Sequence, residues 1–158
     1  MLRPRDAIDF VNFCLSEGDG STSLDEDLVL MAEEKFYYSR KKAITKEWIS
    51  FYKHIEEYID CVSFIKNNTF RLDVLADEKD RIQEYLINRD GGDDHDQDHE
   101  KITLNFDQLM KVWFVAGLVG IKKTSSLSVY SCFDKPTLDI TDMDKEFIIH
   151  PLFFRQNI

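Results

Sequence analysis

Basic residues are under-represented in this 158-residue chain, with 20 Lys and Arg against 30 Asp and Glu, a formal net charge of −10. A general binder of nucleic acid or anionic membranes carries the opposite footprint, so that class is disfavoured from the start. Glycine and proline are scarce, at six and three, which leaves few forced breaks in regular structure. No run approaches the roughly 20 uncharged apolar residues needed to span a bilayer. The opening MLRPRDAIDF lacks the apolar core and small-residue cleavage site of a signal peptide. The three cysteines, Cys14, Cys61 and Cys132, are widely spaced and form no CxxC pair. Each lies in an apolar context, as expected of buried thiols in a reducing cytoplasm. What is abundant is apolar: 43% hydrophobic and 13% aromatic residues, too much for a disordered chain.

Charge is unevenly distributed. Residues 1–100 carry 13 basic and 24 acidic side chains, whereas residues 101–158 carry seven and six. The sharpest break is RDGGDDHDQDHEK, Arg89 to Lys101, which holds six acids and no large apolar residue. It reads as a solvated connector. Its His95 and His99 stand four residues apart, as two zinc ligands on a helix would. The EF-hand pattern is absent, however, and the tract is too polar for a rigid metal site.

Upstream of the break the periodicity is helical. Pro4 suits a first helical turn. Ile8, Val11 and Leu15, with Phe10 and Cys14, make one apolar face. Ser23-Leu24-Asp25-Glu26 reads as a capping box, opening a helix from about Leu24 to Lys42 that buries Leu28, Met31, Ala32 and Phe36. Its basic end, Arg40-Lys41-Lys42, complements the helix dipole. From Thr45, the residues Trp48, Phe51, Tyr52, Ile55, Ile59 and Val62 predict a third helix, and Asp77 to Asn88 a fourth. Beyond the break, Asn105 or Asp107 caps a fifth helix through Leu109, Met110, Val112, Trp113 and Phe114. It ends near Gly117 or Gly120. Gly120 to Lys123 and Leu127 to Phe133 resemble a hairpin, and Phe147 to Ile149 a last strand before Pro151. The fold class expected is mainly α, a helical bundle followed by a winged-helix-like module with a small antiparallel sheet. The boundaries are 1–89 for a lid-like bundle, 90–100 for the acidic connector and 101–158 for the winged-helix-like module.

No catalytic residues emerge. His54 and His150 lack a nucleophile in any recognisable motif, and His150, within FIIHPLF, suits a structural role. GLVGIKKTSS, Gly117 to Ser126, has glycines, lysines and hydroxyls but the wrong spacing and order for a phosphate-binding loop. Lys122 and Lys123 would fall at the wing and Lys111 nearby, making these three the candidate contacts to DNA or a partner. The helix in the recognition position is nevertheless dominated by apolar residues, where major-groove readers carry Arg, Lys, Asn or Gln. DNA is admitted as a partner but not favoured. The aromatic stretch Phe36 to Tyr52 has the spacing of core packing.

Three fragments carry a resemblance: LRPRDAIDFVNFCL at 2–15, AEEKFYYSRKKAITKEW at 32–48, and VWFVAGLVGIKK with FIIHPLFF at the far end. Their order resembles the C-terminal region of bacterial P-loop ATPases related to the AAA+ and STAND classes, a helical lid followed by a winged-helix segment. The resemblance implies that Arg5, with Arg3 as the second choice, reports on nucleotide phosphates when joined to an ATPase core. A guanidinium at a helix start is well shaped for that contact. The Walker motifs are missing from this chain, so no cofactor is expected here, and ATP with Mg²⁺ belongs to a parent protein. A beginning directly before RPRD is what a cut at a domain boundary leaves. The implied function is a non-catalytic, cytoplasmic regulatory region in bacterial stress or antiphage defence. Its expected partners are the ATPase core or other subunits, a homo-oligomer being compatible, with no membrane. The alternatives are a DNA-binding winged-helix protein and a free-standing adaptor or inhibitor.

Overall fold

Pro4 opens helix α1, Pro4–Glu17, where its missing N–H leaves no bond unmade. Helix α2, Glu26–Trp48, is capped by Asp25, whose carboxylate accepts the Leu28 amide at 2.9 Å. The predicted cap, Ser23, is displaced by two residues because Asp25 offers the same acceptor closer to the apolar run. The computed structural model describes residues 4–90 and 105–154, so residues 91–100 of the expected connector lie outside the described residues. The described part is mainly α-helical, with five α-helices and one small antiparallel sheet.

The chain divides into two compact units, Met1–Ser50 and Phe51–Ile158. In the first, α1 and α2 form a helical hairpin. Phe36 packs between Phe10 and Phe13, with ring centroids at 5.6 and 6.2 Å, and Cys14, Ala32 and Ile44 are buried with it. The predicted face of α1 is therefore split. Phe10 and Cys14 turn inward, whereas Ile8, Val11 and Leu15 are exposed. On α2, Ala32 and Phe36 are buried as expected, Leu28 is half-buried, and Met31 is exposed.

The predicted third helix does not run from Thr45 to Val62. Helix α2 continues to Trp48, the backbone then turns, and α3 occupies only Ile55–Asp60. The apolar spacing over 45–62 is genuine but belongs to two helices in two units, and periodicity alone cannot see the break. The second unit continues through a 3₁₀ turn to strand β1 (Thr69–Phe70), helix α4 (Ala76–Asp90), helix α5 (Phe106–Val115), β2 (Val119–Lys122), β3 (Ser128–Val129) and β4 (Phe147–Ile149). Asn105 and Gln108 close a reciprocal capping box at the start of α5. Gly117, at φ +77°, ends that helix in a left-handed conformation that a side chain would strain.

The sheet order is β1-β4-β2-β3, antiparallel throughout, with Thr69 opposite Ile148, Gly120 opposite Ile148, and Ile121 opposite Val129. Thus residues 51–90, assigned from sequence to the lid-like bundle, supply a strand and two helices to the unit that also holds the sheet. Trp113, fully buried, donates its indole N–H to the Tyr58 carbonyl at 2.6 Å and so fastens α5 to α3. Phe114, Leu118, Ile121, Phe147 and Ile149 complete a buried apolar core.

Candidate functional site

The first unit places two of the quoted fragments side by side. Asp6, from RPRD, lies in the first turn of α1 and is only 4% exposed. Its carboxylate faces Arg40, from YSRKK on α2, at 3.2 Å. A carboxylate there also lies at the positive end of the helix dipole. At the other end of the hairpin Lys35 pairs with Glu17 at 2.5 Å, so the two helices are tied at both ends. Arg5 is the residue before Asp6 in the same turn; its side chain, and all of Arg3, lie outside the described residues. An open groove of about 390 Å³, lined by Asp9, Asn12, Phe13, Ser16 and Ser39, runs beside the hairpin. Asp6 was not singled out from sequence: an acid in a first helical turn is a local signal, but its arginine partner stands on the next helix.

In the second unit the three candidate lysines stand on different elements and in different states. Lys111 is exposed on α5, beside exposed Asp107 and Gln108. Lys122, at the end of β2, is half-buried and paired with Glu146 at 3.0 Å. Lys123 is exposed, and its amide donates to the Leu127 carbonyl at 2.9 Å. The outward face of α5 therefore mixes one cation with one acid, a poor electrostatic match for a phosphate backbone.

Between β3 and β4 runs an arm; the strand expected over Leu127 to Phe133 stops at Val129, so residues 130–133 belong to this arm, and the rest of it, 134–146, was left unassigned from sequence. Its Asp142, 1% exposed, lies against Lys135 and Lys145, both at 2.5 Å, and accepts the Asp139 amide at 2.9 Å. Burial pushes the Asp142 carboxyl up, but the hydrogen bonds from the two lysines outweigh it and hold the group below the usual carboxylate range. Asp139, bonded by Lys135 and Thr141, is also held below that range, and the two carboxylates raise Lys135. Asp139-x-x-Asp142 is itself a capping pair and could have been found by its spacing. The arm presents Phe133, 99% exposed, and Ile140, 85% exposed.

The two described histidines occupy different settings. His150 is buried at the end of β4, edge-on to Tyr130 and Phe153, and its Nδ1 accepts the Leu152 amide at 3.3 Å. His54 precedes α3 and is half-buried near Tyr58. Of the thiols, Cys14 and Cys61 are buried and Cys132 is exposed, the last against expectation because it sits in the tight turn of the arm opposite Lys135. His95 and His99 lie outside the described residues. Among the described residues no three metal-ligating side chains come together, and no helix is long and apolar enough to cross a membrane.

Neither the curated proteins nor the solved structures contain a match to this chain. Residues 1–45 match the family model described as the FunZ-associated C-terminal helical domain. That stretch holds α1 and α2 as far as Thr45, and thus the Asp6–Arg40 pair, so the first unit is similar to a C-terminal helical domain.

Proposed function

We propose that this chain is the non-catalytic C-terminal regulatory and interaction region of a P-loop ATPase, coupling nucleotide state to contacts with a partner or with other subunits, in bacterial defence. The observation that carries this reading is the coincidence of the matched C-terminal helical stretch with a hairpin whose RPRD and YSR segments are joined by the Asp6–Arg40 pair. In that reading Asp6 is a positioning residue. By fixing the first turn of α1 it fixes the backbone that bears Arg5, the group offered to the phosphates of a nucleotide held on a separate core. Pre-positioning matters because a guanidinium on a loose terminus gives up much of its contact energy in ordering.

The second unit supports a winged-helix-like reading through its element order. Helix α3, strand β1, helices α4 and α5, and then β2 and β4 succeed one another, with β4 between β1 and β2 in the sheet. The segment between β2 and β4 takes the place of the wing. Its role in this proposal is protein contact, since Lys122, Lys135 and Lys145 are engaged by acids of the same module.

In the parent ATPase, Arg5→Ala is expected to impair nucleotide-dependent turnover or assembly with the helical signal retained, and Asp6→Ala to reproduce part of that loss. Normal turnover in a folded Arg5→Ala protein would sink the assignment. The same element order gives the DNA-binding reading its support. Duplex DNA retarded at low salt, and released by replacing Lys111, Lys122 and Lys123 with alanine, would favour that reading instead.

A further inference from the structure

We infer that His150 is a pH-operated clasp: its neutral ring holds the 3₁₀ turn Pro151–Phe153 closed at the end of the sheet, and protonation of that ring opens it. The sheet fixes where the ring stands. The His150 amide donates to the Leu118 carbonyl at 2.8 Å, and the His150 carbonyl accepts the Phe153 amide at 2.8 Å. Side chains alternate along β4, so Phe147 and Ile149 enter the core while Ile148 and His150 share the opposite face. Gly120 lies opposite Ile148 on that face, and the Tyr130 ring occupies the space beside it, 3.0 Å from where a Cβ would stand. Tyr130 meets the His150 ring at 5.6 Å and Phe153 meets it at 6.0 Å. His150 is thereby left 9% exposed and Phe153 6%.

Within the turn, His150 Nδ1 accepts the Leu152 amide at 3.3 Å. Only a ring with its proton on Nε2 alone can do so. A second proton makes both nitrogens donors, takes that acceptor from the Leu152 amide and puts a cation in a buried aromatic setting. Burial and the lost acceptor both favour the neutral ring; the attraction of a cation for the two aromatic rings works the other way and is the smaller effect. The titratable and charged groups on this face, among the described residues, are Tyr130, Lys122, Glu146, Arg71 and Asp73. Burial raises the Tyr130 hydroxyl above its ordinary value, so it stays neutral. Lys122 pairs with Glu146 at 3.0 Å and Arg71 with Asp73 at 3.2 Å, so each charge is matched by its neighbour. Folding therefore lowers the affinity of the ring for a proton. The turn is fully held above the ordinary histidine value of about 6.5, and its hold is lost as the pH falls from there through the folded value. Asp139 and Asp142, held below the usual carboxylate range, keep their charge in that window, so the arm stays fastened while the turn opens and uncovers Phe153.

Proton NMR of the full chain, titrated from about pH 7.5 to about pH 4.5, follows the His150 ring directly. Its midpoint is expected below about 5.5, a unit under the ordinary value, which is at least about a tenfold preference of the closed turn for the neutral ring. Across the same titration the hydrogen-exchange protection of the Leu152 amide should fall at least about tenfold. That of the Leu118 amide, which donates to the Trp113 carbonyl at 2.8 Å, should hold. His150→Asn sets a side-chain oxygen near the place of Nδ1 and cannot be protonated, so its Leu152 protection should no longer depend on this titration. A midpoint at or above about 5.5, unchanged Leu152 protection while the ring titrates, or an equal acid loss in His150→Asn would each overturn the inference. The first two are read on the unaltered protein and decide the matter even if the variant does not fold. None of these readouts needs nucleotide or partner, so they stand apart from the ATPase assignment.

Discussion

Trp113→Phe should unlock the second unit by a calculable amount. The indole is fully buried and makes a 2.6 Å hydrogen bond to the Tyr58 carbonyl across α5 and α3, and it meets Phe106 edge-on at 5.9 Å. A phenyl ring keeps the aromatic contact but leaves the space of the lost pyrrole part. At about 24 cal/mol per Å³ a cavity of roughly 40 Å³ costs about 1 kcal/mol. Lost transfer free energy adds about 1 kcal/mol. Removing the N–H adds about 1 kcal/mol more, because the Tyr58 carbonyl loses a partner away from water. The expected loss is about 3 kcal/mol, a large share of the 5–15 kcal/mol typical of a domain. Urea unfolding followed by far-UV circular dichroism measures it, and the remaining Trp48, in the first unit, reports separately by fluorescence. A loss below about 1 kcal/mol, with unchanged denaturant sensitivity, would mean that the indole does not hold α5 to α3, and the reasoning would fail.

Asp142→Asn removes the charge shared by Lys135 and Lys145 and should destabilise the protein at neutral pH. Because the carboxyl is held below its ordinary value, its contribution is present above about pH 4 and fades as the pH falls through the folded value, so the stability gap between the two proteins should close in acid; a gap independent of pH would refute the role. Burial, with the nearby carboxylates Asp60 and Glu57, pushes the Cys61 thiol up to about 12, and Cys132 is exposed. Iodoacetamide under native conditions should therefore label Cys132 well before Cys61 by mass spectrometry. Gly120→Ala sets a Cβ 3.0 Å from the Tyr130 ring, so that ring must shift at a cost of about 1–3 kcal/mol, readable as a lowered thermal midpoint.

Elements with a local signature were legible in the sequence. The capped start of α5, the Phe147–Ile149 strand and the span of α4 all follow from capping residues, turn residues and period. The features that escaped are those decided by long-range pairing. Two residues, Thr69 and Phe70, have no periodicity to read, yet their pairing with β4 is part of what assigns residues 51–90 to the sheet-bearing unit. The face of α1 was half legible: its apolar residues are where the pattern put them, but a helix apolar on two sides does not say which side is covered. For the candidate site, YSR and RPRD were visible as fragments. Their Asp6–Arg40 link was not, because nothing local joins a residue in one helix to a residue in the next.

The pairing of Thr69 with Ile148 also imposes an order in time. A chain leaving the ribosome can close the α1–α2 hairpin early, since its contacts, Phe10 with Phe36 and Asp6 with Arg40 among them, are complete once α2 has emerged. The second unit must wait, holding Trp113 and its neighbours uncovered, until β4 has emerged to join β1. The interval between those two events is when this protein is most exposed to aggregation and to proteases. Chains halted before Phe147 should accordingly keep a helical hairpin attached to an uncondensed remainder.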